Sequence, residues 1–250
     1  MRRHASLERV YFCTQSRGIT MMRYLLALIA FSFSLPSQAE IFEAWDFSAI
    51  DGDMQNNIAM FESAKAIQER AGAHVEYWQH DVNGENVISY VIRFADLSAW
   101  AKWKDDMLSN KDWLEWVSAE WPKARPHLVT SYAMNNLFDP AAGVDLTEGL
   151  NVAYMSAWEP SANSNSMKLM ESIQRSTAIS DDFGISTSVY LNGPSGVFYI
   201  FNLGKSFTDL AAKLEARNIS KAWQEYWGNA QMQRSGQFVR QAWITRVAVD

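Results

Sequence analysis

The octad NKDWLEWV, from Asn110 to Val117, returns as SKAWQEYW from Ser220 to Trp227. Four further matches precede each octad, in the same order. EAWDF at Glu43–Phe47 answers SAWEP at Ser156–Pro160, and AGAHVEYW at Ala71–Trp78 answers FGISTSVY at Phe183–Tyr190. ISYVIRF at Ile88–Phe94 answers VFYIFNL at Val197–Leu203, and DLSAWAKW at Asp96–Trp103 answers SFTDLAAKL at Ser206–Leu214. Five ordered matches at a nearly constant spacing predict one structural unit written twice, which limits the chain to folds built from a single supersecondary pattern.

Each copy carries the same predicted elements. The first opens with the apolar strand IFEAWDFSA, followed by an amphipathic helix over Met54–Ala71 with Ile58, Phe61, Ala64 and Ile67 near helical spacing. Asp51 or Asp53 can cap its start, and Gly72 can supply the left-handed residue after its end. The strands AHVEYWQHDV and NVISYVIRFA follow, joined by NGEN, whose Asn-Gly pair suits a tight hairpin. Asp96 caps a second helix, in whose continuation the octad is expected, and Pro122 and Pro126 close that region. The strand HLVTSYAM ends the unit. The second copy gives LNVAYMSAW, a helix near Ser166–Ile179, the hairpin STSVYLNGPSGVFYIFN, a helical region over Phe207–Met232 and the strand QFVRQAWITRV. The fold class is therefore α+β, as two tandem βαββαβ units of the ferredoxin-like type. The first covers 40–139 and the second 150–250, with DPAAGVDLTEG (140–149 at its core) as the linker. The first strand is apolar on both faces, with Ile41, Trp45 and Phe47 on one and Phe42 and Ala44 on the other. Both faces should be covered, as in one intramolecular α+β barrel or a back-to-back pair of sheets.

Residues 1–39 read as a leader. Arg23 precedes an apolar run from Tyr24 to Phe33. Ser37 and Ala39 then stand at the −3 and −1 positions of a cut before Glu40. That run is shorter than the roughly 20 residues that span a bilayer, so cleavage near Ala39 and release to a periplasmic or secreted location are expected, without stable membrane insertion. Residues 1–20 fit a start codon assigned too early, with Met21 or Met22 the true start, or else a long n-region of the leader. Removing 1–39 takes away five arginines and one glutamate and moves the net charge from −6 to about −10. An acidic surface argues against nucleic acid as a partner. Cys13 leaves with the leader, so the remainder has no disulfide, thiolate nucleophile or cysteine-held metal.

The element order and the repetition resemble the dimeric α+β barrel superfamily over Glu40 to Asp250. Its members include antibiotic-biosynthesis-type monooxygenases, stress-responsive barrel proteins, NIPSNAP-like proteins and chlorite dismutase-like haem proteins, some of which fuse two units in one chain. No signature motif accompanies the resemblance, so no member's catalytic residues transfer. The chlorite dismutase likeness implies a haem-binding histidine in the C-terminal unit, but 150–250 contains no histidine. No cofactor is expected.

The octad rings Trp113 and Trp116, and likewise Trp223, Tyr226 and Trp227, share one helix face that either packs on the sheet or walls an aromatic pocket. With Trp45, Asn57 and Tyr77, the residues Trp113 and Trp116 form the expected ligand-binding set, for a small apolar or aromatic molecule. Candidate catalytic residues are His80, as a base near neutral pH, with Tyr90 and Arg93. Asn56 is a further pocket candidate. Strand alternation puts His74, Glu76, Trp78 and His80 on one face and turns Asp81 away from His80. His74 and His80 are roughly 20 Å apart along a strand, so no metal site is expected from His74, His80 and His127. Arg93 and Arg240 stand in otherwise apolar strands and need either partners or an exposed strand end. No phosphate loop, dinucleotide fingerprint or nucleophile elbow is present. Three functions stay open: binding of a small apolar or aromatic ligand, cofactor-independent oxygenation, and a structural module with both octads as core.

Overall fold

Eight strands and seven helices are present among the described residues of the computed structural model, which cover 40–81, 86–137, 149–193, 195–228 and 234–247. The first half contains β1 (Ile41–Ser48), α1 (Met54–Arg70), β2 (His74–His80), β3 (Val87–Phe94), α2 (Leu97–Ser109), α3 (Lys111–Ala119), α4 (Trp121–Ala124) and β4 (Leu128–Asn136). The second half contains β5 (Val152–Pro160), α5 (Ser166–Asp181), β6 (Ser186–Asn192), β7 (Val197–Gly204), α6 (Phe207–Ile219), α7 (Lys221–Gly228) and β8 (Gly236–Arg246). The leader, the Asn83–Gly84 turn, the segment 138–148 and residues 229–233 lie outside the described residues.

The strands close one antiparallel barrel in the order β1-β3-β2-β8-β5-β7-β6-β4. Each half contributes four neighbouring strands, and two short seams join the halves. At one seam Trp78, Gln79 and His80 face Arg246, Thr245 and Ile244. At the other Asn135 and Asn136 face Leu191 and Tyr190. Closure leaves no free sheet edge. The barrel interior is filled by Phe42, Ala44, Trp78, Val91, Met134, Met155, Tyr190 and their neighbours, while the helices cover the outside. The two-faced apolar pattern of β1 matches this, because one face meets the interior and the other the helices.

Caps fix the helices where expected, with one correction. The Asp53 side chain accepts from the Gln55 N–H to start α1, Gly72 follows its end at φ 94°, and Asp96 starts α2. The octad does not continue the preceding helix. Asn110 ends α2 and restarts the chain as α3, its Oδ1 accepting from the Trp113 N–H at 3.0 Å. Ser220 does the same for α7, accepting from the Trp223 N–H at 3.2 Å. The first residue of each octad is thus a cap, and a cap redirects the aromatic face independently of the helix before it. The two prolines likewise do more than end the region: Pro122 lies in the first turn of α4 and Pro126 in a 3-10 turn before β4.

Candidate functional site

Strand alternation divides the candidate residues between the two sides of the barrel wall. Arg93 and His80 point inside. The Arg93 guanidinium lies 2.6 Å from Glu40 and 3.0 Å from Glu76, and donates to the Tyr190 hydroxyl at 2.9 Å. Tyr190 donates to Glu40 at 2.9 Å, Asn136 donates to Glu40 at 3.1 Å, and Arg246 lies 3.2 Å from Glu76. Burial alone would pull Arg93 down, but Tyr190, Glu76 and Glu40 outweigh it and hold its pKa well above the usual value. Arg93 therefore does not end at an exposed strand terminus. Its network ties both seams, because Tyr190 and Arg246 belong to the second half. Arg240 is half-buried over the Tyr199 ring, 5.6 Å from its centroid.

His80 is oriented by groups from other strands, not by Asp81. Its Nε2 lies 2.9 Å from Ser89 Oγ, and Ser89 donates to Asp46 at 2.6 Å. With the hydroxyl proton committed to Asp46, the ring nitrogen is the donor to Ser89. Asp81 bonds Thr245 across the seam instead. The interior space beside His80, Ser89 and Arg93 is only about 40 Å³. That holds water but no aromatic ring, for which about 150 Å³ is needed. Among the described residues, no three His, Cys, Asp or Glu side chains gather as a metal site.

On the outer side, α1, α2 and α3 stand off the first-half sheet and leave a cleft of about 360 Å³. Trp45, Tyr90, Trp113 and Trp116 line it, with Met107 and Trp103. The Trp113 and Trp116 rings stack on each other with centroids 5.1 Å apart, so they form a wall and do not fill the space. Lys104 at the margin is paired with Glu43 at 2.7 Å. Trp103 is buried, and its indole N–H has no partner among the described residues. Tyr90 donates to Gln68, and burial first, then Glu69 and Glu62, raises its pKa well above the usual value.

Two expected members of this site do other work. Asn57 is fully buried and bonds backbone only, accepting from Ile50 N–H at 2.9 Å and donating to Ser48 C=O at 3.0 Å. It fastens the loop after β1. Tyr77 is packed between Phe61 and Tyr90, away from the cleft. The octad rings and Trp45 come together as expected, while His80 and Arg93 lie on the opposite side of the wall.

A larger cleft, about 560 Å³, lies in the equivalent place of the second half. Its aromatic wall is Tyr154, Trp158, Trp223, Tyr226, Trp227 and Trp243. Arg217 enters it from α6, 6% exposed. Its Nη1 donates to Ser180 Oγ at 2.9 Å and reaches Asn202 Oδ1 at 3.5 Å. Nε and Nη2 share Asn218 Oδ1 at 3.3 and 3.1 Å, and the guanidinium lies 3.8 Å from the Trp223 ring centroid. Burial first pulls its pKa down to about 10, against smaller upward effects of Tyr154 and Tyr226. All the candidate catalytic and ligand-binding residues expected from the sequence lie in the histidine-bearing first half, and Arg217 is not among them. Its signal was present: Leu210, Leu214 and Arg217 share a helical stripe, so one arginine occupies an apolar face.

No protein-family model matches the chain, and no curated protein matches it in sequence. Solved structures do match in shape. A protein of Fusobacterium nucleatum provisionally named a monooxygenase aligns at 9% identity over 84% of this chain and 94% of its own, with a TM-score of 0.54. An anthrone oxidase-like protein aligns at 8% identity over 86% and 93%, with a TM-score of 0.53. A protein provisionally named a chlorite dismutase aligns at 10% identity over 84% and 96%, with a TM-score of 0.50. At such identities the likeness shows the fold alone, a ferredoxin-like α+β barrel.

Proposed function

We propose that this chain is an exported protein of two tandem ferredoxin-like units that binds a small apolar or aromatic molecule in the clefts between sheet and helices. One observation carries the reading. The octad tryptophans wall both clefts without filling them, leaving about 360 and 560 Å³ where a structural module would close the gap. By the measure of about 150 Å³ per benzene ring, the clefts suit ligands of roughly two to four rings. The oxygenase reading is weaker, because His80 is on the other side of the barrel wall and its Nε2 is spent on Ser89. An acidic remainder disfavours nucleic acid. Among the described residues no helix is long and apolar enough to cross a membrane.

Titration with naphthalene, followed by intrinsic tryptophan fluorescence, tests the reading. Saturable quenching is expected, weakened about tenfold or more by Trp113→Ala or Trp227→Ala and unchanged by His80→Ala. Absence of any saturable response would sink it. Export predicts an N-terminus at Glu40 in the recovered protein, which N-terminal sequencing reads directly.

A further inference from the structure

The two clefts occupy equivalent places, and the difference that changes their charge falls at one position. Helices α2 and α6 each have 13 residues. Met107 stands in α2 where Arg217 stands in α6, eleven residues into each, and each side chain lines its own cleft. The cation near the first cleft, Lys104, is already neutralised by Glu43. Among the described residues no carboxylate lies within 4 Å of Arg217. Its neighbours are Ser180, Asn202, Asn218 and the Trp223 face, all neutral. Glu215 lines the same cleft but is exposed and makes no ion pair with Arg217.

A buried guanidinium without an anion is costly to keep, and proteins normally pair it. Here the Nε–Nη2 edge, which is the edge that takes a carboxylate bidentately, carries a single amide oxygen from exposed Asn218. That oxygen stands where a carboxylate oxygen of a ligand would stand, and Asn218 is free to yield because it lies at the surface. Around it, Trp158, Trp223 and Trp227 supply aromatic faces. We propose that the second cleft selects an aromatic carboxylate, with Arg217 as the group that reads the anion, while the first cleft takes a neutral apolar molecule. This rests on the aromatic-ligand reading above and adds the charge of the ligand and the residue that sets it.

Calorimetric titration with 2-naphthoate and its neutral counterpart 2-naphthamide tests it. The protein is expected to bind naphthoate at least about tenfold more tightly, as a charge-assisted pair on a buried guanidinium requires. Arg217→Met, which copies the first half, should abolish that preference and keep naphthamide binding, and Arg217→Lys should restore part of it. Equal affinities in the unmodified protein would overturn the proposal while leaving aromatic binding intact. A preference that survives Arg217→Met would place the anion elsewhere and also overturn it. Binding of neither probe would overturn both readings. If Arg217→Met fails to fold, the naphthoate–naphthamide comparison in the unmodified protein decides, since no preference there is fatal.

Discussion

Arg93 and Arg217 are both buried arginines, and their surroundings assign them opposite roles. Arg93 meets two carboxylates, so its charge is spent inside the protein on joining the halves. Arg217 meets only neutral groups, so its charge is left for something else. Removing Arg93 would strand Glu40 in the interior without its cation and leave Glu76 to Arg246 and His74. Arg93→Met should therefore cost about 3–5 kcal/mol, the range for breaking a buried pair from one side. Urea unfolding measures it. A loss below about 1 kcal/mol would mean that the network is solvated in a way its burial does not indicate. Neither role could be assigned from the sequence. In the strand ISYVIRF an arginine looks the same whether its partners come from a distant strand or from water.

Among the elements, the octad helices depend on their caps. Asn110 and Ser220 each satisfy the N–H of a cleft tryptophan's own backbone, Trp113 and Trp223. Replacing either by alanine should cost about 1 kcal/mol and loosen the aromatic wall of that half. Two readouts check this: the urea midpoint and the tryptophan emission maximum, which should shift to the red in each variant. An unchanged emission maximum would show that the wall is held by packing alone. Close packing also fixes the approach of helix to strand. A Cβ added at Gly204, the end of β7, would meet Leu210 Cβ at 2.7 Å, so α6 can start only over a glycine there. The order of elements, a cap at Asp51 or Asp53, the cap at Asp96 and the turn at Gly72 were all legible, because they follow from local chain chemistry. The break between α2 and α3 was not recognised, because one asparagine serves as the end of one helix and the start of the next.

For the whole molecule, packing inside the barrel and between sheet and helices buries phenols from both halves. Tyr77, Tyr90, Tyr132, Tyr190, Tyr154 and Tyr226 all have raised pKa values, burial being the largest cause in each. Unfolded, they ionise near 10. Above that pH the unfolded chain has lost protons that the folded chain keeps, so stability falls as pH rises. Each fully buried phenol contributes a slope of about 1.4 kcal/mol per pH unit while it stays protonated in the fold, and part-buried Tyr154 contributes less. Arg217 acts in the other direction, since its folded value is lowered to about 10, but it is one group against six. The urea midpoint should hold between pH 8 and 9 and drop steeply beyond 10. A midpoint unchanged at pH 11 would mean that these hydroxyls titrate as if exposed.

By itself the sequence determined the α+β class, the order of elements and the pairing of each octad with one helix. Periodicity, capping and turn chemistry act over a few residues and are written along the chain. Only the tertiary structure decided which side of the barrel wall each candidate faces. It put His80 and Arg93 in the packed barrel interior, Asn57 and Tyr77 into structural contacts, and the octad rings around open clefts. Alternation along a strand says which residues share a face, but what covers that face depends on elements far away in sequence. The unpaired charge of Arg217 is a fact of the same kind, because a missing partner is visible only when every neighbour is in place.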